Sequence, residues 1–440
     1  MKKLTVLYLL FILAGCTEIS LVESNEFPEI FPDYIGVTIP EGVADLHFNM
    51  SDGRPFKVSE IRRDSTLWIQ VSAWDKETKE GISYAPFPVY ISSDAIDPYI
   101  AYRLIEPGYE SWSEMGIYQR ELASYKEKTI TTNKINDKGC VNCHSFENKN
   151  PEHFLFHARG TGGGTVFVNG NDISKINLVT VGPMKQGTYP AWNPDGRHIA
   201  FSSNTTQQCF MLDGSQPIEV YDTESDIIIM DSQTGEILAD RRVCGSEQME
   251  TFPCWSDDGK TLFYCAADSI SDVSQNRGQI HYKLMSIDFD NGEFTGDPVT
   301  VWENKDASVS FPRVYGDWLL FTKSDFGTFP IWHKEADLCL LNLKTGEVRK
   351  ADGLNSDDTE SYHSWSSNGK WVIFSSRRLD SRYTRLFISH FDGNGNFSKP
   401  FLLPQENPEM NELRLKSYNI PEFIQGKVSV NQKNLKELFK

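Results

Sequence analysis

The chain has 440 residues, with 61 acidic against 43 basic side chains and a formal net charge of −18. A surface that acidic repels nucleic acid and anionic lipid, and it suits a basic partner protein if any. Aromatic content of 12 % and many short Gly-containing turns point to an all-β body, and the length favours two or three units over one core.

Residues 1–16 read as an export signal. Lys2 and Lys3 form a positive start, Leu4 to Leu13 is apolar, and Leu13-Ala14-Gly15-Cys16 resembles the lipobox of bacterial lipoproteins, which are cut before the Cys. The apolar stretch is too short to span a bilayer, so an acylated Cys16 is the expected membrane anchor. The address implied is a cell-envelope lipoprotein on the periplasmic or outer-membrane face. Residues 17–33 are acidic, carry Pro28 and Pro32, and read as a tether.

Residues 34–110 hold β-rich runs such as YIGVTI, STLWIQVSAW and FPVYISS between polar turns, the pattern of a small β unit. A helix is expected next. Ser111 with Glu114 makes a capping box, and Trp112, Met115, Tyr118, Leu122 and Tyr125 recur at spacings of three and four. This helix and the residues up to 150 make one segment, 111–150.

Residues 140–144 read CVNCH. Behind an export signal, CxxCH is the attachment pattern of a c-type haem: Cys140 and Cys143 form thioethers and His144 is the proximal iron ligand. Half of a zinc site or a redox CxxC are the other chemistries of such a string. A structural zinc wants a second Cys/His pair at short spacing, and a thioredoxin motif wants a βαβ context. Neither is visible. For the sixth iron position, His157 is the first candidate and Met115 the second, and Arg159 is a candidate partner for a haem propionate. Cys209, Cys244, Cys254, Cys265 and Cys339 are an odd remainder to which no pairing is assigned.

Residues 151–410 repeat. YPAWNPDGRHIAFSS, TFPCWSDDGKTLFYCAA, FPRVYGDWLLFTKS and SYHSWSSNGKWVIFSSR share one hairpin plan. Each is followed by a second hairpin that turns at Gly235, Gly292, Gly346 or Gly395. Two hairpins make a four-stranded blade. A degenerate first repeat at Asn150 to His157 raises the count to five and places Cys143 and His144 near the position held by Tyr189 and Pro190. These repeats resemble the β-propeller repeats of the TolB family, usually grouped as WD40-like. The resemblance implies five to six blades, a sixth drawing on N-terminal strands or on the tail at 411–440.

As a whole the chain looks like lipoproteins that join an N-terminal β unit, one CxxCH and a TolB-like propeller. That resemblance implies haem c, electron transfer outside the cytoplasm and a redox protein partner, and it names no substrate. The rival expectations are a haem-dependent oxidoreductase with a substrate site on the propeller and a protein-docking scaffold. No GxSxG elbow, P-loop, dinucleotide fingerprint or HExxH is present, so a carrier or binding protein is expected ahead of a catalyst.

Overall fold

The computed structural model describes residues 19–106, 114–160, 162–178, 187–210 and 218–440. Two compact units are present: one of residues up to 36 together with 48–89, the other of 37–47 and 90–440. In the first, Thr66–Trp74 pairs antiparallel with Phe56–Arg63 and with Glu80–Ser83, and Ser20–Glu23 adds in parallel beside Glu80–Ser83. The segment expected to be a tether therefore contributes a sheet strand. Backbone pairing, invisible in an acidic Pro-containing composition, decides this.

The second unit is a six-bladed β-propeller. Among the described residues, six four-stranded antiparallel sheets form, five of them from consecutive hairpin pairs. Blade 1 comprises Val141–Phe146, His153–Ala158, Gly164–Asn169 and Asp172–Ile176, and blades 2 to 5 have innermost strands Thr188–Trp192, Gln248–Trp255, Ser308–Tyr315 and Glu360–Trp365. The turn glycines Gly235, Gly292, Gly346 and Gly395 all have φ between 73° and 94°, a region closed to most side chains.

Blade 6 closes the ring from both ends of the chain. Its innermost strand is Ser417–Ile424, followed outward by Tyr99–Ile105, Gly116–Glu121 and Glu127–Thr132. Each innermost strand touches the next, and Ser417–Ile424 touches both Glu360–Trp365 and Val141–Phe146, so the circle is complete. Closure leaves no innermost edge without neighbours, which is how a stack of sheets buries both faces of every blade.

This closure draws on both sources expected for a sixth blade: residues 99–105, grouped with the N-terminal unit by sequence, are a propeller strand, and the stretch 411–440 supplies the strand that seals the ring. The expected helix is instead the strand Gly116–Glu121, with Ser111 and Trp112 outside the described residues. Its buried polar position explains the misreading. Gln119 lies in the core because its amide donates to the Val428 carbonyl and accepts from the Val428 N–H, both at 2.8 Å. That partner is 309 residues away, and burial on both faces of the strand leaves no apolar alternation to read.

Every innermost strand carries a bulge at one position, and the residue there has positive φ: Cys143, Tyr189, Phe252, Phe311, Tyr362 and Ile420, all between 47° and 54°. Left-handed backbone at a non-glycine residue costs about 1–2 kcal/mol each. The ring repays it by packing these side chains into the axis. Phe252 and Phe311 sit 4.0 Å apart between centroids, Tyr189 meets Phe252 at 4.4 Å and Phe311 meets Tyr362 at 4.9 Å.

Candidate functional site

Cys143 is the small member of that ring. Four of the other five positions are aromatic, so the axial plug is thinnest at blade 1. Cys143, Tyr189 and Tyr362 line two chambers, one on either side of the plug.

The upper chamber, about 220 Å³, is lined by Cys140, Cys143 and Asn142, by Arg103, Arg159 and Arg377, and by an apolar wall that includes Phe329, Ile331 and Trp332. Cys140 reaches it through a tight crossing. Arg159 N–H donates to the Cys140 carbonyl at 2.8 Å, and a side chain at Gly139 would collide with the Arg159 carbonyl. Both thiols are free. Burial raises the Cys143 thiol, which keeps it protonated, with Arg159 pulling the other way.

His144 lies on the opposite side of Cys143 and lines the lower chamber with Glu422, Arg313 and His363. Its imidazole is fully buried, and among the described residues neither ring nitrogen makes a hydrogen bond of ordinary geometry, the Ile420 backbone and Glu422 being its polar neighbours. The nearest acid is Glu422, with Oε1 3.5 Å from Nε2. Burial, aided by Arg103, pushes His144 down to about 3, and burial pushes Glu422 up to about 7. The imidazole is therefore neutral across the physiological range, the state an iron ligand requires. Two unbonded thiols and a neutral imidazole are the donor types that a c-type haem takes, but Cys140 lines the upper chamber and His144 the lower, so holding one haem through all three requires the chain to rearrange about Cys143. The chamber is smaller than the roughly 300–1,000 Å³ of common small-molecule sites, so occupancy needs its mouth to widen.

The two candidates for the sixth position are elsewhere. His157 pairs in register with Asn142, lines neither chamber, and its Nδ1 is 3.0 Å from Thr165 Oγ1. Burial pushes it down to about 4. Met115 is buried between blades 6 and 1, where its Sδ accepts the Val141 N–H at 3.3 Å. Arg159 does face the upper chamber. His157→Ala is accordingly expected to lower stability by roughly 0.5–3 kcal/mol, read by urea unfolding. Cys16 lies outside the described residues. Among the described residues no helix is long and apolar enough to cross a membrane.

Sequence reasoning missed Arg103, Arg377 and a buried clamp behind the apolar wall. In that clamp His333 Nε2 is 3.1 Å from Glu219 Oε2, and Nδ1 is 3.0 Å from Glu335 Oε1. Burial lowers His333, but the two carboxylates outweigh it and bring the group up to about 9. The folded value exceeds the ordinary 6.5, so the clamp's contribution is complete below about pH 6.5 and is lost as pH rises through about 9. Urea midpoints are expected to fall across that window, and His333→Gln is expected to flatten the fall.

No family model and no curated protein matches the chain. Among solved structures, an oligogalacturonate lyase in complex with manganese is similar at 14 % identity and a TM-score of 0.40, over 69 % of this chain and 74 % of that one. The β-propeller domain of the Trilobed protease from Pyrococcus furiosus, described as having an open velcro topology, is similar at 13 % identity and a TM-score of 0.35, over 80 % and 99 %. A prolyl endopeptidase gives 10 % and 0.38, and this chain spans 42 % of its length. The propeller assignment rests on the strand pairing described for the six blades.

Proposed function

We propose that the chain is a membrane-anchored mono-haem c-type cytochrome built on a β-propeller, passing single electrons between partners outside the cytoplasm. The observation that carries this reading is the CVNCH segment: two free thiols on the upper chamber and, across the axial plug, a buried neutral imidazole whose nearest acid is Glu422 at 3.5 Å. Haem, when bound there, supplies reversible one-electron iron chemistry. Cys140 and Cys143 tether it, His144 offers a neutral nitrogen, and the aromatic plug keeps water from the axis. Acylated Cys16 anchors the chain, and the acidic surface favours a redox partner with a basic docking face.

The test is an optical spectrum of the mature protein, oxidised and reduced, with and without CO. A Soret band and a redox-active α band with no CO shift support the carrier. Rapid CO binding overturns it in favour of a haem-dependent oxidoreductase. Electron exchange with a basic partner is expected to slow as salt is raised, checked by stopped-flow absorbance between low and physiological ionic strength.

A further inference from the structure

Among the described residues, the charged side chains lining the upper chamber are Arg103, Arg159, Arg377 and Glu106, an excess of two positive charges inside a chain of net charge −18. Arg103 and Arg377 are 7 % and 5 % exposed, and among the described residues the Nε atoms of all three arginines have no hydrogen-bond partner. What balances them is partial. Arg103 Nη2 lies 3.0 Å from the Asn419 side-chain amide, whose oxygen faces it once the amide is turned to satisfy its neighbours, Arg377 lies 3.3 Å over the Trp332 ring and feels Asp358, and Glu106 is shared with Lys416 at 3.8 Å. Buried guanidinium groups with open donors are costly unless an anion completes them.

Their placement in the ring is informative. Arg103 is on the second strand of blade 6, Arg159 directly follows the second strand of blade 1, and Arg377 directly follows that of blade 5. Those three blades flank the seam where the two ends of the chain meet.

We propose that Arg103, Arg159 and Arg377 form a dianion site for two carboxylates, and that its occupant ties blades 5, 6 and 1 together across the seam. Resting on the haem reading, the carboxylates are those of the porphyrin, and a free organic diacid is the other source of the same chemistry. Guanidinium forks pair carboxylates bidentately, which suits donors left open at Nε.

The test compares R103Q/R377Q with the parent chain, each made with and without haem attachment. In the haem-loaded form the double substitution is expected to lower the melting temperature by at least about 3 °C while covalent haem staining persists. In the haem-free form it is expected to leave the melting temperature unchanged or raise it, because like charges are removed. An equal loss in both forms overturns the proposal and makes the arginines structural. If the parent chain carries no haem, the cytochrome reading fails and succinate becomes the probe. A melting rise with succinate that R103Q/R377Q abolishes keeps the dianion site with a free diacid as occupant, and no rise sinks it. Should the double variant not fold, R103K/R377K retains the charge without the fork and reads the same comparison.

Discussion

Mature protein carrying Cys140→Ala and Cys143→Ala is expected to weigh no more than its polypeptide plus lipid and to lack Soret absorbance, while the parent chain is heavier by one covalent haem. The two thiols face one chamber although Cys140 precedes the strand Val141–Phe146 and Cys143 lies within it, because the bulge at Cys143 turns the strand toward the axis. Single substitutions are expected to leave one thioether and a weakened, shifted spectrum. Cys254→Ala is the control. That thiol is also buried and lines the lower chamber, yet it belongs to no CxxCH, and its loss is expected to leave haem content intact. A parent chain of bare polypeptide mass, isolated from cells able to mature cytochromes, would remove the haem reading.

Deleting residues 417–440 is expected to abolish the folded propeller. The strand Ser417–Ile424 pairs with Tyr99–Ile105 and buries Tyr418, Phe423 and Ile424. At about 1.5–3 kcal/mol for each large apolar side chain, those three alone contribute about 5–9 kcal/mol, comparable with the whole stability of an ordinary domain. The deletion also strips the inner neighbour from Val141–Phe146 and leaves Gln119 buried without Val428. Near-ultraviolet circular dichroism and size exclusion would report the loss. A truncated chain that still melts cooperatively at the parent temperature would show that blade 6 does not seal the ring.

Much of blades 2 to 5 was legible because each repeat is local: an aromatic, a polar turn with glycine, then an apolar strand, all within a short stretch of chain. Register also proved readable, since Cys143 falls at the bulge position of Tyr189 as the repeat alignment places it. Arg159 and Arg377 stand at one repeat position, after FHA in blade 1 and after FSS in blade 5. That coincidence lies within reach of sequence reasoning, because both arginines close the same strand of the repeat. Arg103 offered a weaker sign, an arginine inside the apolar run YIAYRLI. The clamp of His333 with Glu219 offered none, for it joins residues 114 apart.

By itself the sequence determined the all-β class, the two-hairpin repeat and the CVNCH string, because turn chemistry and strand alternation act over a few neighbouring residues. The tertiary structure alone decided that the ring closes at six, that the stretch around Met115 is strand, and that three arginines from blades 5, 6 and 1 converge beside the two thiols. Those outcomes depend on pairing between distant segments, whose free energy comes from burial and hydrogen bonds that no local pattern encodes.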